Sequence, residues 1–290
     1  MNKTFNFATN LKMVIVRQIL FFSILVSSLF GCKKQDKEAT QLLSSTTKGV
    51  YGVVEVYDEY GNISDFSNVS VVAECIDSIK VDTSATGSLI PRTKDTILYT
   101  ITDQYGNYSF KDAPGGHYFI SFTKSGYSEN KKYNFVHYNS KGDTLSKVII
   151  AKPSPANVYI TKVEISQNNK VAYITKKVEL TGSSTFEYGV VTRFFFGKDS
   201  LVSNKNYMHE WVSGATFGKG GDTATVIVKK ATDLLFACGF KEQDQVFVRA
   251  YIDNLQYYSY EKGDSIKVFP NLSSSSQVLS FKLGNVVVVE

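Results

Sequence analysis

Thr100-Ile-Thr-Asp-Gln-Tyr-Gly-Asn-Tyr-Ser-Phe110, Ala113-Pro-Gly-Gly-His-Tyr118 and Tyr118-Phe-Ile-Ser-Phe122 set β-branched and aromatic residues around two turn signals. Such runs favour strands, because branched and aromatic side chains pack well on a pleated surface. Phe110, Tyr118, Ile120 and Phe122 fall where alternate residues face one side, which supplies the core of a sandwich. Working outward, Tyr51-Gly-Val-Val-Glu-Val-Tyr57 and Val246-Phe-Val-Arg-Ala-Tyr251 read the same way, and long stretches of 3.6-residue periodicity are missing. The expected fold class is all-β.

Two turns are near copies of each other, Tyr57-Asp-Glu-Tyr-Gly-Asn62 and Thr102-Asp-Gln-Tyr-Gly-Asn107. Each Asp is placed to cap backbone N–H groups and each Gly to supply a positive φ, so both read as hairpin turns. The carboxylates come singly, without the alternating ladder that a calcium loop needs.

Gly49-Val-Tyr-Gly-Val-Val-Glu-Val-Tyr-Asp58, Val69-Ser-Val-Val72, the Thr100–Phe110 stretch, Ala113–Tyr118 and Lys124-Ser-Gly-Tyr127 follow one another in an order that resembles the carboxypeptidase regulatory-like domain. The resemblance implies a seven-stranded transthyretin-like sandwich over residues 49–151. It departs from the family between Cys75 and Leu98, where a longer stretch holds the Ser/Thr-rich Val81–Ser88. Lys152-Pro-Ser-Pro-Ala156 reads as a linker, since its prolines oppose continuing a sheet. Beyond it, Val158–Ile165 and Val171–Leu180 read as strands around Gln167-Asn-Asn-Lys170, and Val278–Val289 as a last strand. Phe186-Glu-Tyr-Gly-Val-Val191 and Val246–Asn254 resemble strands of fibronectin type III-like domains in Bacteroidetes envelope proteins. That implies an immunoglobulin-like sandwich over 157–290.

Residues 1–31 carry Lys3, Lys12 and Arg17, no acid, and an apolar run from Ile19 to Phe30. This is the profile of a signal peptide, and twelve helical residues reach about 18 Å against a hydrocarbon core of about 30 Å. The run ends in Leu29-Phe30-Gly31-Cys32, which resembles the lipobox of bacterial lipoproteins. The resemblance implies cleavage before Cys32, lipid on its sulfur, and a polar tether over 32–48 that holds the first domain off the membrane. The expected location is the outer membrane, on either its periplasmic or its cell-surface face.

Without the three basic residues of the signal, 29 Lys+Arg face 27 Asp+Glu, so no basic surplus argues for nucleic acid. Cys75 and Cys238 are the remaining cysteines and read as two small buried thiols rather than a bridge. His117, His137 and His209 each lack a Glu three residues on, so the zinc pair of a metallocarboxypeptidase is missing. No G-x-S-x-G elbow is present, and Gly218-Lys-Gly-Gly221 lacks the Walker spacing. No catalytic residue, metal or cofactor is expected. The chain reads as a structural or interaction module of the envelope, with capture of polysaccharide for uptake as the alternative. A hydrolase would need a cleft of converging polar groups.

Two sets of residues are candidate sites. Tyr207, Trp211, Tyr257, Tyr258 and Tyr260 could form a platform for sugar rings, although aromatics in strands more often belong to cores and cross-strand pairs. Ser78, Thr96, Thr144, Ser200, Thr223 and Ser265 each follow an Asp and precede an aliphatic or small residue, which resembles the Bacteroidetes O-glycosylation pattern. The competing explanation is architectural, because most of these aspartates end a turn that runs into a strand.

Overall fold

The computed structural model describes residues 48–78, 96–138, 142–262 apart from 167 and 169, and 266–284. The expected signal peptide, Cys32 and the expected tether up to residue 47 lie outside these residues, as does most of the Ser/Thr-rich insertion. The described chain is almost entirely β.

In the first half, β1 (Gly49–Tyr57) is the centre of a sheet. It runs antiparallel to β4 (Asn107–Lys111) and parallel to β7 (Gly142–Thr144) and β8 (Val148–Ala151). β7 and β8 meet successive parts of β1 on its side away from β4, with Leu145 N–H donating to Tyr51 O between them. They amount to one interrupted strand, which gives the expected seven-strand plan with its last strand broken. The second sheet is antiparallel, in the order β3 (Ile97–Ile101), β2 (Ser70–Ser78), β5 (Gly116–Thr123), β6 (Asn130–His137). Val54, Val71, Phe110, Tyr118, Ile120, Phe122 and Ile150 fill the space between the sheets.

The two copied turns have one geometry. Asp58 Oδ1 accepts N–H groups of Tyr60 and Asn62 at 2.9 and 2.8 Å, and Asp103 Oδ1 accepts those of Tyr105 and Asn107 at 2.8 and 2.9 Å. Gly61 and Gly106 hold φ of 82° and 80°. Their connections differ. The first doubles back, with a bridge from Tyr57 to Ile63, whereas the second joins β3 to β4, which lie in opposite sheets. The hairpin reading of the second is therefore corrected: a local turn fixes chain reversal, and core-facing alternation decides which sheet receives the next strand. A Cβ on Gly106 would sit 2.1 Å from Val54 O. Gly106→Ala should accordingly cost about 2 kcal/mol or more, read as a lower urea midpoint at unchanged slope.

In the second half, β10 (Val171–Leu180) is flanked by β9 (Ala156–Ile165) and β14 (Thr223–Ala231). The facing sheet centres on β11 (Tyr188–Gly197) and β15 (Gln245–Asn254). β12 (His209–Val212) and β13 (Thr216–Gly218) lie on the outer side of β11, and β18 (Leu279–Lys282) on that of β15. β16 (Tyr260–Lys262) and β17 (Ile266–Val268) make a separate ribbon, and one short helix, α1 (Thr232–Ala237), links β14 to β15. β18 covers the first part of the expected Val278–Val289 strand, whose remainder beyond residue 284 lies outside the described residues.

β11 is buried at all ten positions. Phe194 and Phe196 enter the core between the sheets, while Phe195 points the other way into a second cluster with Val202 and Phe269. A strand covered on both faces is apolar apart from groups that find partners, here Thr192 and Arg193. Among the described cysteines, Cys75 is buried in the first core but Cys238 is only partly buried, so the two-buried-thiols expectation holds for Cys75 alone; neither forms a disulfide.

Candidate functional site

The polar chemistry gathers where the two halves meet. Asn254, the last residue of β15, is 1% exposed. Its Nδ2 donates to Asp58 O and to Lys152 O, each at 3.1 Å, so one amide spans a turn of the first half and the linker. Tyr258 OH lies 3.3 Å from Ser128 O, and Tyr260 OH donates to Glu129 Oε1 at 3.3 Å. Burial pushes both phenols well above their ordinary range, so they remain donors at any physiological pH. Tyr60, carried by the Asp58 turn, packs edge-on against Phe186 and Tyr188 at 5.6 and 4.9 Å. The proline linker is pinned at both ends, Lys152 N–H donating to Tyr57 O and Thr181 N–H to Pro155 O.

Behind this seam lies a buried ion cluster. Arg193 on β11 donates from Nε and Nη2 to Asp253 Oδ2 at 3.0 and 2.9 Å, and from Nη1 to Glu210 Oε2 at 3.2 Å. Nη2 also reaches Tyr257 O at 2.8 Å, and the guanidinium lies 4.7 Å from the Phe269 ring centre. Lys267 completes the set by pairing with Glu210. Burial raises the Asp253 carboxyl to about 6, against the pull of Arg193. The cluster thus fixes the loop that follows Asn254, and Asn254 N–H itself donates to Asp253 Oδ1 at 2.9 Å.

A shallow groove opens beside the seam, lined by Lys131, Lys132, Tyr133, Tyr260, Glu261 and Lys267. Lys131 is paired with Glu129 at 3.0 Å and Lys267 with Glu210, so most of its positive charge is already answered.

The platform residues are not brought together. Trp211 stacks on Phe194 at 5.3 Å and packs on the core, with Lys230 Nζ 5.7 Å from its ring. Tyr207 sits edge-on to Phe195 at 5.0 Å, Tyr258 belongs to the seam, and Tyr260 is buried against Tyr133. Tyr257 alone stands out into solvent. Four of the five rings of the expected sugar-stacking platform thus serve packing or the seam, the role that aromatics in strands more often have.

Of the glycosylation candidates, Thr144, Ser200 and Thr223 are exposed and Thr96 is partly buried. The side chain of Ser78, and all of Ser265, lie outside the described residues. Three of the preceding aspartates have structural work. Asp143 Oδ2 meets the buried His137 Nδ1 at 2.7 Å, Asp199 Oδ1 accepts Leu201 N–H at 2.8 Å, and Asp222 Oδ2 accepts Lys219 N–H at 2.7 Å.

One pairing had no signal in the sequence. Cys238, just after α1, lies 3.2 Å from His209 Nδ1, across 29 residues. Burial, then Lys230, holds the imidazole below its ordinary pKa. Its Nε2 is buried without a partner among the described residues, so no carboxylate orients it as a nucleophile–base set requires. His137 likewise has Ala113 O at 3.0 Å on its second nitrogen and no nucleophile beside it. No group of three or more His, Cys, Asp or Glu able to hold a metal occurs among the described residues.

No protein-family model matches the chain, and no curated protein is significantly similar to it. Solved structures similar to it include a candidate carbohydrate binding protein from Bacteroides uniformis, 16% identical, covering 82% of this chain and 100% of its own, with a TM-score of 0.28. A DUF3823 family protein from Parabacteroides merdae is 7% identical over 82% of this chain and 100% of its own, with a TM-score of 0.28. The full-length major pilin SpaD from Corynebacterium diphtheriae is 10% identical over 81% of this chain and 67% of its own, with a TM-score of 0.26. Superpositions this loose say nothing about what this chain binds.

Proposed function

We propose that this chain is a non-catalytic, lipid-anchored envelope protein whose two sandwiches, 49–151 and 157–290, act together as a stiff spacer and interaction module. The observation that carries the reading is the seam. Asn254, Tyr258, Tyr260 and Tyr60 tie the halves through buried hydrogen bonds and ring packing, where independent beads would need only a loose linker. Two experiments check the two parts of the reading. Cys32→Ser should move the protein from the membrane to the soluble fraction; continued membrane attachment of that variant rejects the anchor. Small-angle scattering of residues 33–290 should give one rigid particle, and Asn254→Ala with Tyr258→Phe should broaden its distance distribution. An unchanged distribution rejects the seam as the source of stiffness. Glycan capture is the weaker reading, since the aromatic rings that would serve it are largely committed to packing.

A further inference from the structure

A strand at the rim of a sheet exposes unpaired N–H and C=O groups, and proteins blunt such rims with charge, proline, bulges or cover. Three rims of the first half are blunted. β4 ends in Lys111. β6 carries Lys131 and Lys132, and its pairing with β5 breaks register between Tyr118 and Ile120. On β8, Ile149 O is taken by Asn130 Nδ2 at 2.8 Å and Ala151 O by Ser128 N–H at 2.9 Å. Among the described residues β3 has none of these devices: Ile97-Leu-Tyr-Thr-Ile101 holds no charge and no proline, and pairs with β2 without a break.

Two hydrogen bonds settle which way its backbone faces. Cys75 N–H donates to Thr96 O, and Thr102 N–H donates to Val69 O. In an antiparallel ladder the bonded pairs alternate, so Leu98 and Thr100 face β2, while Ile97, Tyr99 and Ile101 aim N–H and C=O at the open side. Among the described residues no strand pairs with that side. The same three residues stand out from the sheet, 47%, 72% and 62% exposed, with Ile76 beside them at 47%. This is an apolar strip joined to an open hydrogen-bonding edge.

The strip is also symmetric about Tyr99. If two copies pair antiparallel on a two-fold axis through that residue, Tyr99 meets the partner's Tyr99 and Ile97 meets the partner's Ile101, apolar against apolar. All three residues then lie in hydrogen-bonded positions, which closes about six backbone bonds across the axis.

We propose that β3 is a self-association edge, through which two copies of this chain pair and join their β3-β2-β5-β6 sheets into one continuous sheet. Sedimentation equilibrium of residues 33–290 at tens of micromolar tests this. The unaltered chain should have twice the monomer mass. Tyr99→Lys and Tyr99→Glu should each be monomeric and still melt cooperatively with β-type circular dichroism, since the side chain stands off the core of the monomer, and the melting temperature of the unaltered chain alone should rise with its concentration. Mixing the two variants should restore the double mass, since the new charges face each other across the axis. An unaltered chain that stays monomeric, a Tyr99→Lys chain that still dimerises, or a mixture that remains monomeric would each overturn the proposal.

Discussion

Replacing Lys176 by Met together with Thr192 by Val should raise the stability of this protein by about 1–3 kcal/mol at pH 7. Lys176, on β10, is fully buried, and among the described residues its ammonium donates to the hydroxyls of Thr192 and Ser213, at 2.7 and 2.8 Å, with no carboxylate paired to it. Burial pulls its pKa down to about 8 from 10.5. The unfolded chain therefore holds that proton more tightly than the folded one. The penalty is present in full below pH 8 and shrinks as pH rises towards 10.5. Met fills the channel of the lysine stem without a charge. Val removes the Thr192 hydroxyl that would lose its partner, and Ser213 keeps Gly214 O as an acceptor. Urea melts at pH 7 and pH 10 check the expectation: the gain should be large at the lower pH and smaller at the higher. A double variant less stable than the parent at pH 7 would show that the hydroxyl pair offsets the desolvation.

The opposite sign is expected at the ion cluster. Arg193→Met leaves the Asp253 carboxylate buried with Asn254 N–H as its remaining donor, a change that costs about 3–5 kcal/mol at pH 7. Asp253 already titrates near 6 in the folded protein, above its ordinary 3.8, and losing the guanidinium drives it higher. Between those values the folded chain binds a proton that the unfolded chain does not, so acidification stabilises the folded state. The cost of Arg193→Met should thus be smaller at pH 5 than at pH 7, and adding Asp253→Asn should recover most of it. Equal losses at both pH values, or no recovery in the double variant, would mean that Arg193 contributes packing on Phe269 rather than charge.

How much of this could be read beforehand depends on the range of the interaction. Alternation along Tyr118–Phe122 and the Asp–Gly turn chemistry act within a few residues, and both are where the sequence places them. The Phe186–Val191 segment announces the first part of β11. What it cannot announce is that Phe195 faces away from the main core, because the residues that cover it, Val202 and Phe269, are supplied by separate loops. The Tyr257–Tyr260 run misled for a related reason. Composition shows that rings are present but not which side the first half occupies, and that half turns Tyr258 and Tyr260 into joint residues. Asn254 carried no signal at all: its role depends on two carbonyls that belong to another sheet and a linker.

The parallel pairing of β1 with β8 also bears on load. The chain enters β1 at its first residue from the membrane side, in the lipoprotein reading, and leaves β8 at its last residue towards the second half. A pull between those two ends draws the strands past each other lengthwise. Val54–Tyr57 and Val148–Ala151 then carry the tension together instead of opening bond by bond like a zip. The first sandwich is built as a shear clamp, an arrangement that would suit the lipoprotein reading, where drag on the outer part of the molecule would pass through it to the membrane.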